Sequence, residues 1–599
     1  MSALTRRRFL GNLAVASASA VAWPRLVSGR EAAIGRERRC DVLVIGGSLG
    51  GVAAALAAAR MGASVILTEE TAWIGGQVTA QGVPLDEHPW IEQFGSTQSY
   101  RDFRNGARDY YRRHYPLTPE ARADRFLNPG AGWVSALGFE PRVGLAVLYE
   151  MLAPHLSSGR VVILRHHRPT AVTMDGDRVR AVTVLDEHSG VSRTLTAPYV
   201  LDATELGDLL ELGKIESVIG AESQSETGVP LAVEGPAVPH EQMVFTHVFA
   251  ADYFPGEEHV IDQPRDYDFW RQAKSHRGDF SKLTLPDLMG AKHDHLKRPV
   301  QPGAYTASTW KFRRMLCKEN FVPGAFPSDV TVAIWPTNEY HLGVLCGVTP
   351  EERKKHLEAA RQLSLSTIYW LQTEAPNPGT GGNGYPGLRP RGDFLGTTDG
   401  LAQAPYLRES RRIKAEFTIL EQHFRTDLPE TKNGPVKYKD SVGLSGYRVD
   451  IHKPTAPGKP SITEAMHGKH WLQQIPLGAL IPQRVENLLP ACKNLGVTHV
   501  TNGAFRVHPT EWNIGEAAGA LAAWCVAKKQ TPRQVRNTPA HLADFQREIV
   551  RQGFELDWPA GFRETARSYY SHHNLEINDA DTFYFGEAWR LKTTASSGR

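Results

Sequence analysis

The sequence predicts an α/β fold: a parallel sheet flanked by helices, interrupted by a long mixed α+β region. Three observations predict it. A short apolar run, Asp41-Val42-Leu43-Val44-Ile45, leads directly into the glycine turn Gly46-Gly47-Ser48-Leu49-Gly50-Gly51. An Ala-rich helix (Val52 to Met61) and a second apolar strand (Ala63 to Thr68) follow, which makes a β-α-β unit. At the other end of the chain, a strand over Asn487 to Ala491 and a small-residue helix from Pro509 supply elements of the same kind.

Each part of the opening unit has a physical reason. Gly46 permits the tight turn, and Gly51 lets the helix pack close to the strand. The helix N-terminus, reached over Gly47 and Ser48, offers free N–H groups and a partial positive charge to a pyrophosphate. Ser48 stands where G-x-G-x-x-G has its middle glycine, and serine is still small. Glu69, 23 residues after Gly46, is placed to accept ribose hydroxyls. The unit therefore reads as a Rossmann-like dinucleotide site. Gly75-Gly76-Gln77 comes next, a second glycine pair that fits a chain passing the flavin side of a longer ligand. The other G-x-G-x-x-G match, Gly382 to Gly387, lies in a Pro/Gly-rich loop with no preceding strand or following helix, so it reads as turn chemistry. One dinucleotide fold without an NAD(P)H partner suits an FAD enzyme reoxidised by another acceptor.

Composition narrows the function further. Of 599 residues, 41% are hydrophobic and 22% charged, which is globular chemistry. The net charge is +3, and Arg6, Arg7 and Arg8 account for it, so no nucleic-acid footprint remains. The five cysteines are scattered with no C-x-x-C pair, and no histidine pair has strong ligand spacing, so no metal site is expected. Thr5-Arg6-Arg7-Arg8-Phe9-Leu10 followed by an Ala/Ser-rich run to Trp23 has the layout of a secretory signal and resembles a twin-arginine export signal. This implies passage through the twin-arginine translocase and a periplasmic or otherwise extracytoplasmic product. No segment has the uninterrupted apolar length for stable membrane insertion.

Five segments follow. Residues 1–30 are the export signal. Residues 38–213 are the first part of the nucleotide domain, with an aromatic- and Arg-rich insertion at 83–140 and short strands around the turn Asp175-Gly176-Asp177. Residues 214–484 form a substrate-side region with one strong helix, Pro350 to Thr373. Residues 485–530 close the nucleotide domain, and 531–599 are a C-terminal extension.

Three further stretches carry a resemblance. Leu201-Asp202-Ala203-Thr204-Glu205-Leu206-Gly207-Asp208 is similar to a strand-end D-A-T-G-x-G-D pattern, with Glu205 in the glycine position. Tyr406-Leu407-Arg408-Glu409-Ser410-Arg411-Arg412-Ile413 is similar to an R-E-S-R-R-I helix. Ile475 through Cys492-Lys493-Asn494 to Gly515-Glu516-Ala517-Ala518-Gly519 is similar to a C-terminal flavin-binding return, with Cys492 in the place of its usual glycine. With residues 41–82, these resemble the FAD-dependent oxidoreductase family with the glutathione-reductase-like FAD fold. The resemblance implies a Rossmann-like FAD domain of that type, FAD as cofactor, and Ala203, Thr204, Asn494 and Gly515 beside it. It also implies that His167 and Arg168 lie in the region that covers the adenosine, and that the helix after Pro509 aims its N-terminus at the flavin N1/C2 edge.

A flavin accepts hydride at N5, so the protein must hold a substrate C–H there and take a proton from its OH or NH. His499, Arg506 and His508, which flank the flavin return, are the catalytic candidates: a histidine as base and the arginine for an anionic group. His88 is a further cavity candidate or a covalent flavin anchor, and the run Trp335 to His341 is a candidate cavity wall. The expected function is an exported FAD-dependent dehydrogenase or oxidase acting on a small polar, sugar-like substrate, with an unidentified electron acceptor. Two alternatives stand beside it: a carbohydrate lyase or hydrolase that uses FAD structurally or transiently, and a non-catalytic flavin-holding partner protein.

Overall fold

The computed structural model describes residues 37–560, apart from 89, 133, 277–278, 286–287, 290–308 and 453–469. The expected export segment, 1–30, and the last part of the expected C-terminal extension, 561–599, lie outside the described residues. In chain order, Glu37–Arg39 (β1) and Val42–Ile45 (β2) precede Leu49–Arg60 (α1) and Val65–Glu69 (β3). Gln98–His114 (α2) and Pro141–Ser157 (α3) lead to Val161–Arg165 (β4), the hairpin His167–Asp175 (β5) and Arg178–Asp186 (β6), then Ser192–Thr196 (β7) and Tyr199–Asp202 (β8). The middle of the chain supplies Phe249–Tyr253 (β9), Arg314–Leu316 (β10), Val330–Ala333 (β11), Pro350–Thr373 (α4), Leu388–Pro390 (β12), Ser441–Ser445 (β13) and Gln473–Pro476 (β14). Leu488–Pro490 (β15), His508–Lys528 (α5) and Pro539–Arg551 (α6) follow.

The central sheet has the order β15-β8-β2-β3-β4, and every neighbouring pair is parallel. β2, β3 and β8 are buried along their whole length, as their unbroken apolar runs require for strands covered on both faces. Register pairs Ile45 with both Thr68 and Asp202, and Asp202 with Pro490, so the carboxyl ends of β2, β3, β8 and β15 form one edge. In such sheets that edge is where ligands sit. A second sheet, β1-β7-β6-β5, is built around the antiparallel β5-β6-β7 meander. A third, β10-β11-β9-β12, is antiparallel and belongs to the middle of the chain. α4 spans Pro350–Thr373, as the sequence predicts, and a Thr349–Glu352 capping box closes its first turn.

α1 and α5 touch backbone to backbone. A Cβ added to Gly515 would stand 1.9 Å from the Gly50 carbonyl oxygen, and one at Gly519 would stand 2.2 Å from that of Ala54. Only glycine allows this approach, so the small-residue side of α5 is a packing surface against α1.

One expectation is corrected. Tyr406 to Ile413 is not a helix; it is extended, with Arg412–Ile413 paired to Ser217–Val218. Its charged side chains reach different partners: Arg408 bonds Glu339, Arg411 bonds Glu211, and Arg412 bonds Glu222 and Glu409. An extended chain sends successive side chains to opposite faces and satisfies all of these groups.

Candidate functional site

The strand edge is shaped first by the glycine turn. Gly46 has φ +101°, and a Cβ there would meet the Ala203 carbonyl at 2.3 Å. Ala203 N–H donates to the Ile45 carbonyl at 2.8 Å, which fixes the β8 end beside the turn. Ser48 has a function that a glycine could not supply: its Oγ accepts from Gly51 N–H at 3.1 Å and caps α1. Gly75 N–H donates to the Gly47 carbonyl at 2.7 Å, which draws the second glycine pair onto the first. Gly76 lies between Ser48 and Glu205, with φ +46° and no room for a Cβ.

Glu69 closes one end. Gly47 N–H donates to its Oε2 at 3.0 Å, while Thr71 donates to Oε1 from N–H at 2.7 Å and from Oγ1 at 2.6 Å. Burial pushes its carboxyl up to about 7, against these hydrogen bonds. Thr204 Oγ1 bridges from Asp202 Oδ1 (2.7 Å) to Asp208 N–H (2.7 Å). Asn494 Nδ2 donates to the Asp202 carbonyl at 3.0 Å, so the return strand is tied to β8.

The two departures from the family pattern are neighbours in space. The Lys493 ammonium contacts Glu205, which replaces a glycine, and lies 3.5 Å from the Cys492 sulfur, which replaces the other. It also pairs with Glu511 at 3.2 Å. Burial disfavours its charge, but Cys492, Glu205 and Glu511 outweigh that and hold Lys493 well above the usual lysine range. Glu511, on the first turn of α5, accepts from Gly50 N–H at 3.1 Å and from the Gln77 amide. A carboxylate therefore already occupies part of the α1 N-terminus. Glu205, Cys492 and Glu511 are close enough together to hold a cation, and Lys493 is the cation among them.

Beyond Gln77 lies a polar chamber. Gln77 Nε2 donates to the Arg506 carbonyl at 3.1 Å, which joins the glycine edge to it. Arg506 donates to the Tyr406 hydroxyl (2.8 Å) and to Asp450 (3.1 Å). Tyr447 donates to Asp86 at 2.8 Å, and Asp86 N–H donates to His508 Nδ1 at 3.1 Å. An accepting Nδ1 places the ring proton of neutral His508 on Nε2, which makes no hydrogen bond. Burial pushes His508 down to about 3, so it is neutral. Further in, His452 Nδ1 stands 2.6 Å from Glu339 Oε1, and its Nε2 stands 3.4 Å from Asp450. Arg408 reaches Glu339 at 3.2 Å.

The structure brings Gly46, Gly47, Ser48, Gly51, Glu69, Gly75, Gly76, Gln77, Ala203, Thr204, Asn494 and Gly515 to this edge, with Arg506 and His508 beside it. It does not bring His499 to the same hydrogen-bond network. His499 Nδ1 pairs with Glu409 at 2.8 Å and its N–H donates to Glu222 at 2.9 Å, a separate buried ionic network with Arg412. Burial works against the charged ring, but Glu409 outweighs it and raises the pKa. Arg168 pairs with Glu187 at 2.9 Å on the exposed face of the meander, three residues past Arg165, the register partner of Glu69. His88 bonds the Gly95 carbonyl at 3.1 Å and packs edge-on against Trp558. Asp86, Glu339, Tyr447, Asp450 and His452 were not singled out as chemistry from the sequence, although the runs around His88 and from Trp335 to His341 contain two of them.

The family is settled by comparison. The model of the FAD dependent oxidoreductase family matches residues 41–549, and the chain belongs to that family. The protein is thus an FAD-dependent oxidoreductase with FAD as its cofactor. No curated protein matches. Among solved structures, the chain is similar to anhydrotetracycline hydroxylase OxyS from Streptomyces rimosus (12% identity, 94% of this chain, 74% of that one, TM-score 0.31). It is also similar to L-proline dehydrogenase from P. horikoshii (16% identity, 31% of this chain, TM-score 0.17) and to the myxobacterial chondrochloren halogenase CndH (19% identity, 38% of this chain, TM-score 0.19). The chain spans 24% of the length of the dehydrogenase and 46% of the halogenase. Overlaps this loose place no substrate on the protein.

The edge fits FAD. At Gly46, Gly47, Gly50 and Gly51 the turn has no room for a Cβ, so a cofactor phosphate there could approach the backbone closely. Buried acceptor atoms with no protein donor, Gln77 Oε1, Gln81 Oε1 and Glu205 Oε1, suit a ligand rich in hydroxyl and N–H groups. No side chain caps α5, whose N-terminus is therefore open to an acceptor edge.

Proposed function

We propose that this protein is an exported flavoprotein dehydrogenase or oxidase that removes hydride from a small polar, sugar-like substrate. We infer that its FAD unit is of the glutathione-reductase type; the five-stranded parallel sheet with an antiparallel meander beside it supports this. The observation that carries the functional reading is the joining of the glycine edge to a buried, titratable chamber through the Gln77–Arg506 bond. FAD, when bound, supplies the hydride acceptor. The glycine turn and Glu69 would hold the adenosine and pyrophosphate side of FAD, and Gln77, Thr204, Asn494 and the α5 N-terminus would hold the rest. Nε2–H of His508 donates a hydrogen bond and orients. The proton of the substrate hydroxyl passes to Nε2 of His452, whose Nδ1–H donates to Glu339 at 2.6 Å and whose Nε2 faces Asp450 at 3.4 Å. The electrons then leave to an external acceptor. The twin-arginine segment supports export of the folded, loaded protein.

The test is anaerobic titration of the purified holoprotein with a substrate panel. Bleaching of the flavin band near roughly 450 nm, with a product two hydrogens lighter, is the expected result. Cleaved product of unchanged redox state would replace this reading with lyase or hydrolase chemistry. A flavin that no substrate in the panel bleaches would favour a flavin-holding partner.

A further inference from the structure

Among the described residues the chamber brings Arg313, Arg408 and Arg506 together around few carboxylates. Arg313, Arg408, Arg448, Arg506 and Lys282 line or back it, against the carboxylates of Asp86, Glu339 and Asp450. Those acids are already shared. Glu339 serves Arg408 and His452, with His276 at 3.4 Å. Asp450 serves Arg506, Arg448 and His452, and Asp86 accepts from Tyr447. Arg313, Arg408 and Arg506 are close enough for Arg408 to feel the repulsion of the other two.

The arginines also leave hydrogen-bond donors unused. Arg506 spends Nη1 on Tyr406 and Nη2 on Asp450, and its buried Nε has no partner. Arg408 spends Nη1 on the Val244 carbonyl and Thr246 and Nη2 on Glu339, and its buried Nε is also without a partner. Arg313 is half-buried and spends only Nη1, on the Ile334 carbonyl at 2.7 Å. Among the described residues it forms no ion pair, and its Nε/Nη2 edge is open. That edge is the fork that binds a carboxylate through two parallel hydrogen bonds. Buried, mutually repelling guanidiniums with unspent donors are costly unless an anion joins them.

We propose that the substrate carries a carboxylate, and that Arg313 is a binding residue that seats it in the chamber beside Arg408 and Arg506. This rests on the oxidoreductase reading for the chemistry but not for the anion. The two oxygens of a carboxylate match the adjacent Nε and Nη2 donors of Arg313; a phosphate offers the same pair, and titration with both separates the two.

The test titrates the FAD-loaded protein with glycolate, with its neutral counterpart ethylene glycol, and with inorganic phosphate. Two signals are followed: the flavin difference spectrum and the unfolding temperature. Glycolate should perturb the flavin and raise the unfolding temperature, while ethylene glycol does neither. Arg313→Gln should raise the half-saturating glycolate concentration about tenfold or more, and Arg313→Lys, which keeps the charge but loses the fork, should fall between. Equal responses to ethylene glycol, an unchanged glycolate response in Arg313→Gln, or tighter binding of phosphate than of glycolate would overturn the proposal. A flavin that dithionite bleaches and air restores, in a protein unmoved by glycolate, removes the carboxylate seat and leaves the redox reading intact. Arg313-dependent glycolate binding in a protein whose flavin no substrate bleaches removes the redox reading and leaves the seat.

Discussion

Gly515→Ala is the sharpest test of how the cofactor edge is built. The added methyl would lie 1.9 Å from the Gly50 carbonyl oxygen, whereas ordinary contact begins near 3.4 Å. Both partners are helix backbone, so no side-chain rotamer relieves the clash, and α1 and α5 must separate by more than an ångström. Overpacking of this kind costs about 1–3 kcal/mol. The separation also pulls at the Gly50 N–H to Glu511 bond, 3.1 Å long, and through Glu511 at Lys493 and Gln77. Stability and cofactor retention should therefore fall together. The assay is the unfolding temperature and the flavin-to-protein ratio of the variant as purified, beside Gly382→Ala as a control. At Gly382 the nearest atom to a new Cβ is 3.6 Å away, so the control should match wild type in flavin content. A Gly515→Ala protein with wild-type melting and a full complement of flavin would refute the close helix approach and its role in the site.

Three further outcomes are expected. Lys493→Met leaves Glu205 and Glu511 buried without their cation; it should cost about 3–5 kcal/mol, read by denaturant unfolding, and lower the flavin content. Glu69→Gln keeps the shape but turns one carboxylate oxygen into a donor facing either the Gly47 N–H or the Thr71 pair. FAD retention through dialysis should fall, while the melting temperature of the stripped protein moves by less than that of Lys493→Met. The raised pKa of His499 sets a sign for pH dependence. Its pairing with Glu409 stabilises the fold fully below the ordinary imidazole range and fades as pH rises through the raised value. The difference in melting temperature between wild type and His499→Gln should therefore shrink as pH rises from below the ordinary imidazole range through the raised value, and a difference that grows would contradict the pairing.

The sheet was legible because its strands announce themselves locally. Val42 to Ile45 and Tyr199 to Asp202 are apolar runs buried on both faces, and Glu69 ends its strand where the ribose acid is expected. The α5 helix was legible from its opening proline and its small residues, and α4 from Pro350, Glu351 and Glu352 and the Leu/Ile spacing that follows. The stretch Tyr406 to Ile413 was not, since its charges look amphipathic until their partners, Glu211, Glu222 and Glu339, arrive from elsewhere in the chain. The chamber was half legible. Arg506 and His508 stand beside the flavin return, but Asp86, Arg313, Glu339, Tyr447 and Asp450 come from four separated stretches, and no local pattern joins them. His499 looked equivalent to His508 in sequence; only the positions of Glu409 and Glu222 separate their surroundings. Glu205 and Cys492 were legible as departures from the resembling pattern's glycines, but their meeting at Lys493 was not, since no local pattern joins positions 205 and 493.

The way the two ends of the polypeptide share one edge also sets the order of biosynthesis. The first glycine turn leaves the ribosome some 440 residues or more before the strand that flanks β8 and the carboxylate that occupies Gly50 N–H. A nascent chain thus holds half a nucleotide cradle over that whole interval, and the complete edge can form only after Leu488 and Glu511 emerge. The cell must keep that unfinished half soluble until Leu488 and Glu511 emerge, and fragments ending before them should neither bind flavin nor escape proteolysis.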